Sequence, residues 1–166
     1  LNLDPADVER KITPKTRCIM CIDYGGNPAD HEAVRLLAQS RGLPILQDAA
    51  QSIGGFYRGS PLGAQGDIST VSFHAAKIIS TIEGGAVFTN DENTARRLRV
   101  LRNQGEDPDR KYIHIELGYN ARISDLHAAI GLAQWRRRDA IFARRRELAA
   151  AYSTRLADVA SIKVPT

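Results

Sequence analysis

Short apolar runs alternate along this chain with longer segments of helical period, and that alternation predicts its elements. Residues 17–23, Arg-Cys-Ile-Met-Cys-Ile-Asp, form an apolar run of strand length. Asn27-Pro28 predicts a helix start, with Asn27 as N-cap and Pro28 at the first helical position. Ala33, Val34, Leu37 and Ala38 supply its apolar stripe, and Gly42 ends it by accepting a left-handed conformation. Pro44–Gln47 then predicts a second short strand. Strand, helix, strand is a βαβ unit, which implies a parallel pair joined by a right-handed crossover.

A glycine-rich stretch follows, with Gly54, Gly55, Gly59, Gly63 and Gly66. Ile68–Phe73 and Gly85–Thr89 predict two more strands. Asn90 predicts the cap of a helix over 91–103, with Leu98 and Leu101 facing inward and Gly105 ending it. Residues 104–118 are polar and lack a period, so they predict a loop. Ser124 predicts the cap of a long helix running to 158, with Leu126, Ile130 and Ala133 on one face and a break near Asp139. Residues 161–166 predict the start of a linker. No repeat or low-complexity tract interrupts the pattern. The expected class is α/β with a mostly parallel sheet.

Composition narrows the class further. Of 166 residues, 43% are apolar, 25% charged and 6% aromatic, which excludes disorder, collagen and disulfide scaffolds. No stretch approaches the roughly 20 apolar residues that span a bilayer, and no secretory signal opens the chain. Two cysteines do not indicate an oxidising compartment, and a cytoplasmic location is expected. Cys18 and Cys21 form a CxxC without the second pair that zinc requires, and inside a predicted strand they face opposite sides. Core packing is the expectation for them, and no metal site is expected. His31, His114 and His127 look scattered.

The net charge of +4 is unevenly spread. Residues 1–90 hold 8 Lys/Arg against 9 Asp/Glu, whereas 91–166 hold 15 against 10. A nucleic-acid-binding face would need interleaved aromatics, and Trp135 and Phe142 are too few. The arginines read instead as solvated helix faces, so no nucleic-acid partner is expected.

Candidate chemistry begins at Asp48, at the C-terminal end of a predicted parallel strand, where open α/β sheets place their ligands. Taken alone it reads as the cap of a short helix that follows. Lys77 closely follows a strand and is flanked by apolar residues, which would favour a neutral amine nucleophile. Taken alone it reads equally as a snorkelling surface lysine. Together they match the needs of a pyridoxal phosphate site, which requires a lysine for the aldehyde and a carboxylate for the ring nitrogen. Ser72, five residues before Lys77, could donate to the phosphate, and Gly84-Gly85 allow a close turn into the next strand.

Four segments carry a resemblance: 48–55 (Asp-Ala-Ala-Gln-Ser-Ile-Gly-Gly), 72–77 (Ser-Phe-His-Ala-Ala-Lys), 83–87 (Glu-Gly-Gly-Ala-Val) and 118–125 (Gly-Tyr-Asn-Ala-Arg-Ile-Ser-Asp). In order and spacing they resemble the DegT/StrS family of pyridoxal-phosphate-dependent nucleotide-sugar aminotransferases, of the aspartate-aminotransferase fold type I. The resemblance implies a three-layer α/β/α large domain. It implies Lys77 as the Schiff-base lysine and proton carrier, Asp48 as partner of the pyridine nitrogen, and Gln51 near the ring face. Ser72 resembles the phosphate ligand, and Asn120 the residue that reaches the neighbouring subunit's cofactor, which implies a homodimer with shared sites. Arg122 and His74 are possible substrate or phosphate contacts, while Glu83 and Tyr57 read as structural. A branch of the family carries histidine in place of the lysine, so Lys77 favours transamination, from an amino acid such as glutamate to a nucleotide-linked keto-sugar. A regulatory pyridoxal-phosphate-binding protein, or a basic nucleic-acid-binding domain, is the alternative.

The same resemblance implies that the chain is the central slice of a larger enzyme. Residues 1–122 would be part of the large domain, 123–158 a helical segment and 159–166 the start of a linker to a small domain. An N-terminal phosphate loop and the small domain would lie outside it, and the slice alone is expected to be inactive.

Overall fold

The computed structural model describes residues 2–164. In chain order the elements are α1 (Pro5–Lys11), β1 (Ile19–Ile22), α2 (His31–Arg41), β2 (Ile45–Asp48), β3 (Phe56–Tyr57), β4 (Ser60–Pro61), β5 (Ile68–Ser72), β6 (Gly85–Phe88), α3 (Glu92–Arg102), α4 (Asp125–Arg136) and α5 (Arg138–Leu156). Four strands form one sheet in the order β1-β2-β5-β6, and β3 and β4 pair as a separate hairpin. β1, β2 and β5 are parallel, whereas β6 runs antiparallel to β5. The expected mostly parallel α/β sheet is therefore present.

The strands bury one face first. Ile19, Cys21 and Ile45 pack with Ala29, Val34 and Ala38 in one apolar cluster, which places α2 over that face. The apolar positions Val34 and Ala38, four apart on the helix, point the same way for that reason. On the opposite face of β1, Met20 is 48% and Ile22 43% exposed. Period two thus sorts the sheet into a face covered by α2 and an open face.

Two helix starts differ from the sequence expectation. Asp30, not Asn27, caps α2, accepting a hydrogen bond from the Ala33 amide at 3.2 Å. A 3-10 turn over Tyr24–Gly26 intervenes, and Asn27 closes that turn instead. Asp91, not Asn90, caps α3, accepting from the Thr94 amide at 2.6 Å. Gly42 does end α2 in the left-handed region, at φ 62°. Leu98 and Leu101 are half-buried on α3, but its buried residue is Val100.

Ser124 caps α4 as expected, accepting from the His127 amide. The helix breaks at Arg137, two residues before Asp139. The Leu126, Ile130, Ala133 face is not packed: Leu126 is 72% exposed and only Ile130 is half-buried. Two elements escape the sequence reading. α1 is a short helix capped by Asp4 with Pro5 in its first turn. The β3–β4 hairpin turns at Arg58 and Gly59, which have φ of 48° and 81°. Two successive positive values belong to the tight turn that suits a two-residue hairpin. Tyr57 on that hairpin is structural, donating to Asp30 Oδ1 at 2.9 Å.

The segment after α3 is an irregular loop, as expected, and it folds back on the helix. Gly105 has φ 75°, and its amide donates to the Val100 carbonyl at 2.9 Å. An added Cβ there would run into the Glu116 carbonyl. Gly105→Ala is expected to lower stability by about 2 kcal/mol, because conformation and space both oppose the methyl. The urea midpoint of the full-length protein checks this, and an unchanged midpoint would contradict it.

Candidate active site

Strand alternation decides what each residue of β2 can do. Ile45 and Gln47 point into the face covered by α2, so Leu46 and Asp48 point to the open face. Asp48 pairs with Thr70 across the parallel ladder. Thr70 and Ser72 share parity on β5, so Ser72 lies on the same open face, one pleat further on. Lys77 follows in the loop after β5 and is half-buried. The C-terminal ends of two adjacent parallel strands thus bring a carboxylate, a hydroxyl and the start of a lysine-bearing loop to one edge.

Each group retains bonding capacity there. Asp48 Oδ1 accepts from the Ala50 amide at 2.9 Å, capping a turn in place of the expected short helix, while among the described residues nothing bonds Oδ2. Ser72 Oγ accepts from the His74 amide at 3.2 Å, which leaves its hydroxyl hydrogen free to donate. The Lys77 amide donates to the His74 carbonyl at 2.9 Å, so the backbone is tied while Nζ has no hydrogen bond among the described residues. Half-burial replaces the apolar enclosure expected for Lys77. Gln51 Oε1 accepts from the Gly25 amide at 2.7 Å, joining the loops after β1 and β2.

The glycines behind the lysine allow close packing. Gly85 passes so near β5 that an added Cβ would lie 2.9 Å from the Val71 carbonyl. His74 is exposed, with Nδ1 accepting from the Ala76 amide at 3.1 Å and Nε2 3.7 Å from Glu83. Asn120 and Arg122 bond elsewhere. Arg122 donates to Asn120 Oδ1 at 3.0 Å and to Asn103 Oδ1 at 2.8 Å, so both brace the loop after α3. Neither bonds Asp48, Ser72 or Lys77. A groove of about 850 Å³ along β6 and α3 is lined by none of the candidate residues and marks an open sheet edge instead.

The donor set fits pyridoxal phosphate. An unshared carboxylate oxygen can meet a ring N–H, a free hydroxyl hydrogen can meet a phosphate, and an unbonded amine can meet an aldehyde. Among the described residues, no group of three or more His, Cys, Asp or Glu side chains is placed to hold a metal.

Sequence reasoning missed a polar cluster beneath the edge. Asp23 is fully buried, and its Oδ1 accepts from His31 Nε2 at 2.7 Å and from the Ala29 amide at 3.1 Å. Its Oδ2 accepts from Gln47 Nε2 at 2.7 Å and from Ser52 Oγ at 3.3 Å. Gln47 Oε1 in turn accepts from Ser69 Oγ at 2.8 Å. His31 is therefore a buried partner and not a scattered surface residue. The available signal was an acid closing an otherwise apolar strand. Of the CxxC pair only Cys21 is core; burial, reinforced by Asp23, pushes its thiol up to about 11, whereas Cys18 is exposed.

Burial opposes ionisation of Asp23, but bonds from His31, the Ala29 amide and Gln47 outweigh it and hold its carboxyl below the usual range. A carboxyl so lowered stabilises the fold above its unfolded pKa of about 3.9, and this is lost as pH falls through the folded value. The urea-midpoint gap between wild type and Asp23→Asn is therefore expected to shrink from pH 6 to pH 3. A gap that stays constant would contradict the ionised assignment.

Comparison with known proteins places the chain in a family. The DegT/DnrJ/EryC1/StrS aminotransferase family matches residues 1–166. GDP-perosamine synthase of Caulobacter vibrioides is 42% identical over 156 residues, covering 94% of this chain and 42% of that protein. The dTDP-3-amino-3,4,6-trideoxy-alpha-D-glucose transaminase of Streptomyces venezuelae is 41% identical over 165 residues, covering 99% and 43%. The crystal structure of DesI with its TDP-sugar product superposes with a TM-score of 0.91 at 36% identity, over 99% of this chain and 42% of that one. The chain thus spans less than half the length of these relatives. With the family matched end to end and the fold shared, the chain belongs to the DegT/DnrJ/EryC1/StrS aminotransferase family, whose enzymes depend on pyridoxal phosphate.

Proposed function

We propose that the full-length protein transfers an amino group from an amino acid, glutamate in the first instance, to a keto-sugar carried on a nucleotide. The observation that carries this is that Asp48 and Ser72 share one open face at the ends of two adjacent parallel strands, with the Lys77 loop following directly from Ser72. The nucleotide-sugar part rests on the names of the relatives, a GDP-perosamine synthase and a dTDP-amino-sugar transaminase.

Pyridoxal phosphate, when bound, supplies an electron sink that stabilises negative charge beside the transferred nitrogen. Asp48 would use its free Oδ2 to keep the ring nitrogen protonated. Ser72 would give its hydroxyl hydrogen to the phosphate. Gln51, anchored at Gly25, would flank the ring. Lys77 Nζ would hold the cofactor's aldehyde and, when its amine is free, would serve as the proton carrier of the transfer. Asn120 and Arg122, tied to each other on an exposed loop, suit contact with the site of a second subunit, so the active form is a homodimer. Residues 1–122 would belong to the cofactor-binding large domain and 123–158 to a helical segment leading out of it.

Among the described residues no helix is long and apolar enough to cross a membrane. The test is conversion of a nucleotide-linked keto-sugar to its amine by the full-length protein with pyridoxal phosphate and glutamate. Amine formation that requires both additions is the expected result. Cofactor binding without transfer to any nucleotide keto-sugar would instead favour the regulatory reading.

A further inference from the structure

Gln47 and Ser52 bracket the segment that carries Asp48 and Gln51. Both donate to the same oxygen, Asp23 Oδ2, at 2.7 and 3.3 Å. The loop after β1 grips the segment a second time, through the Gly25 amide on Gln51 Oε1 at 2.7 Å. The approach is close, since an added Cβ at Gly26 would lie 3.2 Å from the Gln51 carbonyl. Asp23 itself is fixed on its other side by His31 Nε2 and the Ala29 amide, at 2.7 and 3.1 Å. Four donors thus converge on an acceptor-only group, which an amide could replace only by turning its NH2 toward one of the two donor pairs.

Stability alone does not call for such a cluster, because well-packed apolar residues often serve a core as well as buried charges do. A fixed direction for the chemistry next to it does. β2 alternation turns Gln47 inward to the clamp and Asp48 outward to the site, so a shift of Gln47 moves Asp48 with it. Outer partners of this kind commonly set the aim of the groups that touch a ligand.

We propose that Asp23 is a positioning residue: by binding Gln47 and Ser52 together, and with His31 holding it from behind, it sets Asp48 and Gln51 toward the cofactor. The inference rests on the pyridoxal phosphate reading above and goes one layer beneath it.

The test is pyridoxal phosphate titration of the full-length protein, read as Kd and as the absorbance maximum of the bound cofactor, beside the urea midpoint without cofactor. Asp23→Asn sets an NH2 against one of the two donor pairs, and a Kd increase of about tenfold or more, with a moved absorbance maximum, is expected. Combining Asp23→Asn with Gln47→Glu restores one donor facing one acceptor, and both readouts should return most of the way to wild type. Val100→Ala, buried in α3, which carries no clamp residue, lowers the urea midpoint while leaving both readouts unchanged. The proposal is overturned if Asp23→Asn leaves Kd unchanged, or if Val100→Ala raises it equally. Should Asp23→Asn fail to fold, Ser52→Ala carries the test, with a smaller rise supporting the clamp and none overturning it. Wild-type protein that binds no pyridoxal phosphate would sink the functional reading itself, which keeps the two failures apart.

Discussion

Lys77→Ala is expected to abolish amino transfer while leaving the fold intact. The backbone of residue 77 is held by its own amide on the His74 carbonyl at 2.9 Å, and alanine keeps that bond. The side-chain amine has no hydrogen bond among the described residues, so its removal should change stability by no more than about 0.5 kcal/mol. The chemistry has no such tolerance. Under the proposed function, loss of the amine would remove both the covalent hold on the cofactor and the proton carrier, and positioned proton transfer alone contributes about 10²- to 10⁴-fold. Activity should therefore fall by at least about a thousandfold with an unchanged urea midpoint. A variant that loses stability and activity together would make Lys77 a structural residue.

Asp48→Asn separates the two readings that the sequence left open at that position. Asparagine keeps the volume and can still accept from the Ala50 amide through Oδ1, so the cap survives. It cannot keep a pyridine nitrogen protonated, because it carries no charge to pair with. Turnover is expected to drop by about a hundredfold or more, the scale typical of losing one preorganised electrostatic partner. Full activity in Asp48→Asn would leave only capping.

Local pattern made much of the fold legible. The four sheet strands stand out as short segments rich in apolar or β-branched residues between turn residues. Gly42 and Ser124 act through backbone conformation and capping that need only a few neighbours. The starts of α2 and α3 slipped where two candidate caps lie close together, and tertiary contacts chose between them. At α2 the choice follows from the 3-10 turn at Tyr24–Gly26, which uses Asn27 to close itself. Leu126 and its neighbours show the opposite limit, since a periodic stripe says that a face is apolar and not what covers it. The edge carrying Asp48, Ser72 and Lys77 was legible because its motifs are local. The clamp at Asp23 was not, because its partners come from positions 29, 31, 47 and 52 and meet only once the strands pair.

The most direct test of the account is to find where the cofactor attaches. Full-length protein loaded with pyridoxal phosphate is reduced with borohydride, digested, and mapped by mass spectrometry. The account predicts a single pyridoxyl group on Lys77, absent in Lys77→Ala. A group on another lysine, or no uptake by the wild-type protein, would contradict it.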